Sequence, residues 1–127
     1  MKHPNRWLDR RIGAPGPYLT LCLSEAELRA VTKRLGVEVR WLASGKDACV
    51  HSFSGPRGLC SVVCLGDVRD RNGIEIAGLL VHEAVHVWQH WCDDIGETNP
   101  GAEQEAHGVQ ALAQELLAEY ARRIEAR

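Results

Sequence analysis

Residues 74–92 read IEIAGLLVHEAVHVWQHWC, and this stretch determines how the rest of the chain is interpreted. In a helix that turns by about 100° per residue, most of the circumference would be apolar, through Val81, Ala84, Val85, Val87, Trp88 and Trp91. The remaining narrow stripe is polar and consists of His82, Glu83, His86, Gln89 and His90. A solvent-exposed face is the simpler explanation, but the stripe contains three imidazoles and neither Lys nor Arg. The pattern therefore predicts a buried helix with one polar seam, and buried polar groups need partners.

The seam contains the pattern H-E-x-x-H, which also occurs by chance in many unrelated chains. His82 and His86 are one helical turn apart, so both imidazoles can reach one tetrahedral ion at about 2 Å. Glu83 is rotated by about 100° from His82. That position is near the ion but not on it, where a base would take a proton from an activated water. The pattern predicts a zinc site with His82 and His86 as ligands and Glu83 as the catalytic base.

A catalytic zinc needs a third protein ligand and keeps a fourth position open. Residues 101–120 read GAEQEAHGVQALAQELLAEY. In a helix, the side chains within about 80° of Glu105 are almost all apolar, namely Val109, Leu112, Ala113, Leu116 and Tyr120. Glu105 is therefore predicted to be a buried carboxylate, which needs a cation or a hydrogen-bond network. The neighbouring histidines would supply the cation through a metal, whereas a salt bridge to Arg69 or Arg71 is the alternative.

Other polar residues are candidates for contacts with the substrate or with the ligands. His90 continues the seam, where it would bind substrate or contact water, and Gln89 lies beside it. Tyr120 falls on the inner face of the last helix, where core packing is its simplest role. Glu103 falls about 160° from Glu105, facing solvent.

The composition is that of one soluble globular domain spanning residues 1–127, with an irregular arm at 1–17. Fifteen basic and seventeen acidic residues give a formal charge of −2, which argues against nucleic-acid binding. No apolar run approaches the roughly 20 residues that span a bilayer, and the start lacks the apolar segment of a signal peptide. A cytoplasmic protein without a membrane partner is expected. The five cysteines are predicted to be reduced, and most of them packed in the core.

The remaining pattern predicts an α+β fold with a small twisted sheet of three or four strands. Strands are predicted at 18–23 and 37–43, and as a hairpin at 48–53 and 58–65 around the turn SGPRG. A helix is predicted at 24–36, with a capping box of Ser24 and Glu27 and a terminal Gly36. Two further helices are predicted at 74–92 and 100–125, the last capped by Asn99 before Pro100.

The placed residues resemble the gluzincin type of zinc metallopeptidase, which combines HExxH on one helix with a glutamate ligand on the next. The stretch EQEA (103–106) is similar to the E-x-E-A element of the ImmA/IrrE-like minimal peptidases, and this match places Glu105 at the ligand position. The last part of the chain also resembles small proteins encoded by tailed bacteriophages and prophages. The resemblance implies a minimal zincin fold, Zn²⁺ and hydrolysis of a peptide or protein substrate in the host cytoplasm. HGVQ (107–110) stands where ImmA-like proteins often have Asn-x-Phe-Ala, so no particular substrate is implied.

Two other functions fit the same residues. A non-catalytic phage protein could use zinc as a structural brace or bind a partner, and a zinc amidase could act on cell wall. Glu83 favours catalysis over a structural role, because a structural zinc site fills all four positions with protein and needs no base. A peptide substrate could pair in extended form with an edge strand of the 48–65 hairpin.

Overall fold

The computed structural model describes residues 6–8, 17–56 and 58–125. The elements along the chain are β1 (Tyr18–Cys22), α1 (Glu25–Leu35), β2 (Ala48–Gly55), β3 (Gly58–Leu65), α2 (Gly73–Ile95) and α3 (Ala102–Glu125). The predicted α+β class is confirmed, with a sheet of three strands. Within the described ranges, no helix combines the length and the apolar character that crossing a bilayer requires.

The sheet has the order β1-β3-β2, so β3 is central and β2 lies at an edge. β1 and β3 run parallel, and β2 and β3 form the predicted antiparallel hairpin. The hairpin register pairs Ala48 with Leu65 at one end and Gly55 with Gly58 at the turn. Because side chains alternate between the faces of a strand, this register decides which hairpin residues lie side by side on each face.

The two faces of the sheet are covered by different helices. Leu19, Leu21, Val63 and Leu65 pack against α2 and α3, where Leu80, Ala84, Val87 and Leu116 are among the buried partners. On the opposite face, Cys22, Val62 and Cys64 pack against Leu28 and Val31 of α1. Burial of β3 on both faces agrees with its almost continuous apolar sequence.

Helix ends follow the capping signals. The Ser24 hydroxyl accepts from the backbone N–H of Glu27, and Gly36 ends α1 with a positive φ of 70°. The Glu27 side chain accepts from the backbone N–H of Leu23 instead of completing the predicted capping box. A complete capping box instead begins α2, where Asn72 and Glu75 each accept from the backbone N–H of the other.

Two predicted elements differ in the structure. Residues 37–43 form no strand. Their alternation arises because Val39, Trp41 and Leu42 pack onto the core on the α1 side while Glu38 and Arg40 are exposed, without strand hydrogen bonds. α3 begins at Ala102, so neither the predicted cap at residue 99 nor the helical residue at 100 is part of it.

The described part of the N-terminal arm is more regular than the sequence predicts. The backbone N–H of Leu8 donates to the carbonyl of Leu19 at 2.8 Å, and Trp7 forms an antiparallel bridge with Thr20. The guanidinium of Arg6 donates to the Glu119 carboxylate at 3.1 Å. Residues 6–8 therefore extend the free edge of β1, whereas 1–5 and 9–16 lie outside the described residues.

The α2–α3 contact depends on a glycine. Trp88 is 8% exposed and lies on Gly108, where an added Cβ would be only 2.2 Å from Cζ3 of the indole and 2.4 Å from Cε3. A side chain at position 108 would therefore push the two helices apart or displace the indole.

We expect Gly108→Ala to lower the free energy of unfolding. Overpacking against the indole costs about 1–3 kcal/mol, which should outweigh the roughly 1 kcal/mol that alanine contributes in a helix. Urea denaturation measures the change through the midpoint at constant slope. Gly78→Ala is the matched control, because a Cβ at position 78 of α2 meets nothing within 4 Å and should stabilise the protein. A stabilised Gly108→Ala would show that the contact is looser than the structure indicates.

Candidate metal centre

α2 brings the predicted histidines and glutamate together. Its buried side, formed by residues such as Leu80, Ala84 and Val87, faces the core and turns the seam toward β2. The predicted burial of α2 around most of its circumference is wrong on one side, since Val81 is 39% exposed. Candidate ligand atoms of His82, Glu83 and His86 all lie within 4.8 Å of one another.

A cleft of about 670 Å³ opens over this group. It is bordered by α2 and by the segment that leads into the edge strand β2, through Lys46, Asp47, Ala48, Cys49, Val50, Arg71, Glu75, Gly78, Leu79, His82, Glu83, His86 and His90. Arg71 forms ion pairs with Asp47 and with Glu75 at the charged end of the cleft. The seam therefore lies in a space that a ligand can enter.

The two imidazoles are spaced as ligands of one ion. Nε2 of His82 and Nε2 of His86 are 3.2 Å apart. Two nitrogens that bind a single tetrahedral zinc at 2.0–2.1 Å would be separated by about 3.3 Å. Nδ1 of His86 lies 2.9 Å from Oε1 of Gln89 and donates to it, because an amide oxygen only accepts. This hydrogen bond keeps the proton on Nδ1 and leaves the Nε2 lone pair available, a supporting role for Gln89.

Glu83 is almost fully buried, since it is 4% exposed, and one of its carboxylate oxygens has no described partner. Oε2 makes no hydrogen bond to any described residue. Burial raises the pKa of Glu83 above its usual value, although the charges of His82 and His86 oppose that shift. A buried carboxylate oxygen without a partner is costly. Because it lies beside two imidazoles, a bound cation or hydrogen-bond donor at this place would satisfy it.

His90 is held by the sheet. Its Nδ1 lies 2.6 Å from the hydroxyl of Ser52, which is also 2.8 Å from the hydroxyl of Ser61. Sequence reasoning missed both serines. Ser61 is the one polar residue of the otherwise apolar β3, and the hairpin register pairs it with Ser52, which is the signal that would have found both. The hydrogen bonds fix the imidazole of His90 at the wall of the cleft.

The structure does not bring Glu105 to the histidines. Its side chain is exposed, contrary to the predicted burial, and Oε2 accepts from the indole N–H of Trp88 at 3.3 Å. Trp88 leaves α2 about 200° around the helix from His86. The alternative salt bridges are not observed, since Arg69 pairs with Asp67 and Arg71 pairs within the cleft. The ligand role of Glu105 stays a prediction.

The other candidates lie away from the cleft. Tyr120 is half-buried and packs against the core beside α2 and α3. Glu103 is exposed, and its carboxylate lies 3.5 Å from Nε2 of His107 on the same helix. Neither residue borders the cleft.

A second group of donors lies on the opposite face of the sheet. Cys49 and His51 of β2 and Cys64 of β3 have their donor atoms within 4.8 Å of one another. A hydrogen bond with Cys64 lowers the pKa of the Cys49 thiol, and the same contact raises the pKa of Cys64. The sequence predicts reduced cysteines, most of them in the core, but not the contact between Cys49 and Cys64. The hairpin register, which places them directly opposite each other, is the signal that would have found the group.

The first group can bind a cation through two imidazole lone pairs and hold a proton acceptor beside it. Comparisons of the chain with models of protein families, with curated proteins and with solved structures found no match.

Proposed function

We propose that the protein is a minimal zincin-like, zinc-dependent hydrolase that cleaves a peptide bond. His82 and His86 would bind the metal, and Glu83 would be the general base. The observation that carries this proposal is the unpaired, buried Oε2 of Glu83 beside two Nε2 atoms that are 3.2 Å apart. A hydrogen-bonded polar core would leave no such oxygen without a partner.

The donor set fits zinc. Neutral imidazole is one of its usual ligands, and the Gln89 contact holds His86 in the tautomer that binds through Nε2. When bound, Zn²⁺ supplies Lewis acidity, which polarises a carbonyl group and makes a water molecule acidic near neutral pH. Mg²⁺ and Ca²⁺ fit less well, because both prefer oxygen ligands.

The side chains of this protein would perform the remaining steps. Oε2 of Glu83 would accept a proton from water in the cleft and later deliver it to the leaving amine. Ser52 would hold His90 in place to contact the substrate. β2 is an edge strand, and Ala48–Val50 border the cleft, so an extended peptide could pair with this strand as it crosses the site. A peptide or protein is therefore the proposed substrate.

We expect the zinc content of the purified, untagged protein to fall by one equivalent per chain in His86→Ala. The change removes one of two adjacent imidazoles, and a single remaining histidine binds zinc poorly. Elemental analysis of wild type and variant measures the difference. His107→Ala is the matched control, because this exposed histidine on α3 contacts only Glu103. Equal zinc in wild type and His86→Ala would contradict the proposal.

A zinc titration in competition with a chelator, which measures affinity, tests Glu105, the proposed third ligand. To bind the ion, its carboxylate would have to leave the indole N–H of Trp88 and move around α2 toward His86. Because losing even a supporting residue lowers metal affinity by about 10-fold or more, Glu105→Ala should lower zinc affinity by at least that factor. Glu103→Ala, which also removes an exposed carboxylate from the first turn of α3, is the control. Unchanged affinity in Glu105→Ala would show that the third ligand lies elsewhere.

A further inference from the structure

The β2–β3 hairpin carries a second group of candidate metal ligands, whose side chains lie on the sheet face opposite the His82–Glu83–His86 group. Cys49 and Cys64 are directly opposite each other in the antiparallel register, and His51 follows Cys49 on the same face of β2. Val62 and Cys64 pack toward α1, whereas Ser52 contacts His90 of α2 and Ser61 contacts Ser52 on that opposite face. The group Cys49, His51 and Cys64 therefore lies on the face of the sheet opposite the first site.

The spacing of the donors suits one metal ion. Sγ of Cys49 and Nε2 of His51 are 3.6 Å apart, and no two donor atoms of the three residues are more than 4.8 Å apart. A sulfur and a nitrogen bound to one tetrahedral zinc would be separated by about 3.6 Å, and two sulfurs by about 3.8 Å. The hairpin thus holds the donors close to the spacing that they need, so little rearrangement would accompany binding.

The chemistry of the group selects the class of ion. Two thiol groups and an imidazole are soft or intermediate donors, which favour Zn²⁺ and Cu⁺ over the oxygen-seeking Mg²⁺ and Ca²⁺. The side chains around them are apolar and include Leu35, Val39, Trp41, Leu42 and Phe53. Cys64 is buried, whereas Cys49 and His51 are half-buried, so an ion could enter from the side of β2.

We propose that Cys49, His51 and Cys64 form a second metal site, which binds a thiophilic closed-shell ion, Zn²⁺ or Cu⁺. The bound ion would link β2 to β3 at the directly opposite residues Cys49 and Cys64. β2 also borders the cleft through Ala48–Val50, so the second ion would hold that wall of the cleft in place. This proposal does not depend on the hydrolase activity, because it uses a different group of ligands.

The experiment uses full-length His82→Ala/His86→Ala protein, so that binding in the cleft does not contribute. The protein is kept reduced with a phosphine, freed of metal and titrated with Co²⁺, a spectroscopic substitute for Zn²⁺. We expect saturable absorption from thiolate-to-cobalt charge transfer. Cys49→Ser should lower this absorption by about half, because one of two thiolate ligands is lost, and His51→Ala should lower the affinity by at least about 10-fold. Cys60→Ser, on the same face of β3 but outside the group, is the matched control and should keep the full signal.

A second measurement identifies the ion and excludes a disulfide. Alkylation followed by mass spectrometry is performed without metal, with Zn²⁺, and with Cu⁺ buffered by bicinchoninate. Protection of the half-buried Cys49 only after metal is added supports the site, and the ion that protects at the lower free concentration is assigned to it; Cys64 is fully buried and gives no signal in folded protein. Protection of Cys49 without metal would indicate a disulfide and overturn the proposal. Absence of the charge-transfer signal in folded, reduced protein would also overturn it, and circular dichroism checks the fold of each variant.

Discussion

Glu83→Gln is expected to lower peptide hydrolysis by about 10²- to 10⁴-fold while zinc content stays unchanged. Glutamine has nearly the same shape but cannot accept a proton at the position of Oε2. That oxygen has no described hydrogen-bond partner, and Glu83 is among the residues that line the cleft, so a small rotation of the carboxylate would bring it to a water molecule there. Removal of an unpaired buried charge should also raise the thermal midpoint of the metal-free protein.

The measurement compares turnover of a quenched fluorescent peptide library by zinc-loaded wild type and variant. Glu75→Gln is the matched control, because Glu75 borders the same cleft from α2 but is exposed and pairs with Arg71. Full activity in Glu83→Gln would exclude Glu83 as the base. Loss of zinc together with activity would make Glu83 a ligand, a role that its distance from the two imidazoles permits. Zinc-loaded wild type that cleaves cell-wall amides but no peptide would favour an amidase.

Arg123→Ala is expected to lower the free energy of unfolding by about 3–5 kcal/mol. The Arg123 side chain is 3% exposed and donates to the Glu27 carboxylate, itself 9% exposed, and to the carbonyl of Leu21. These contacts join the end of α3 to α1 and β1. The alanine variant would leave the charge of Glu27 buried with only the backbone N–H of Leu23 as a described partner. A buried charge that loses its counter-ion is strongly destabilising.

Urea denaturation of the metal-free protein measures this change. Arg69→Ala is the control, because the pair between Arg69 and Asp67 is exposed at both ends and should change the free energy of unfolding little. The double variant Glu27→Leu/Arg123→Met should recover most of the loss, since apolar side chains can replace a buried ion pair. A loss below about 1 kcal/mol in Arg123→Ala would show that Glu27 reaches water when its partner is removed.

Local signals in the sequence were sufficient to predict most elements of the fold. The Gly- and Pro-rich turn around 54–58 and the runs that flank it predicted the hairpin, and its two strands form β2 and β3. Ser24 and Gly36 marked the ends of α1 correctly, because capping depends on backbone groups within a few residues. The spacing of His82 and His86 placed both imidazoles on one face of α2 for the same reason. These features depend on contacts within one helix or one hairpin.

Contacts between distant parts of the chain depend on long-range packing, and the sequence by itself did not predict them. The periodicity of α3 placed Glu105 in an apolar stripe, but periodicity does not predict which side of α2 that stripe contacts. In the structure it is Trp88 that meets this part of α3, through Glu105 and Gly108. The alternation of 37–43 predicted a strand, although packing against a sheet face produces the same pattern. Cys49 and Cys64 are neighbours because of the register of the hairpin. Arg123 binds Glu27, which is 96 residues away along the chain. Local patterns therefore determined the elements and the histidine pair of this protein. The packing of helices and strands decided which further side chains meet, because it depends on how all the elements bury their apolar surfaces together.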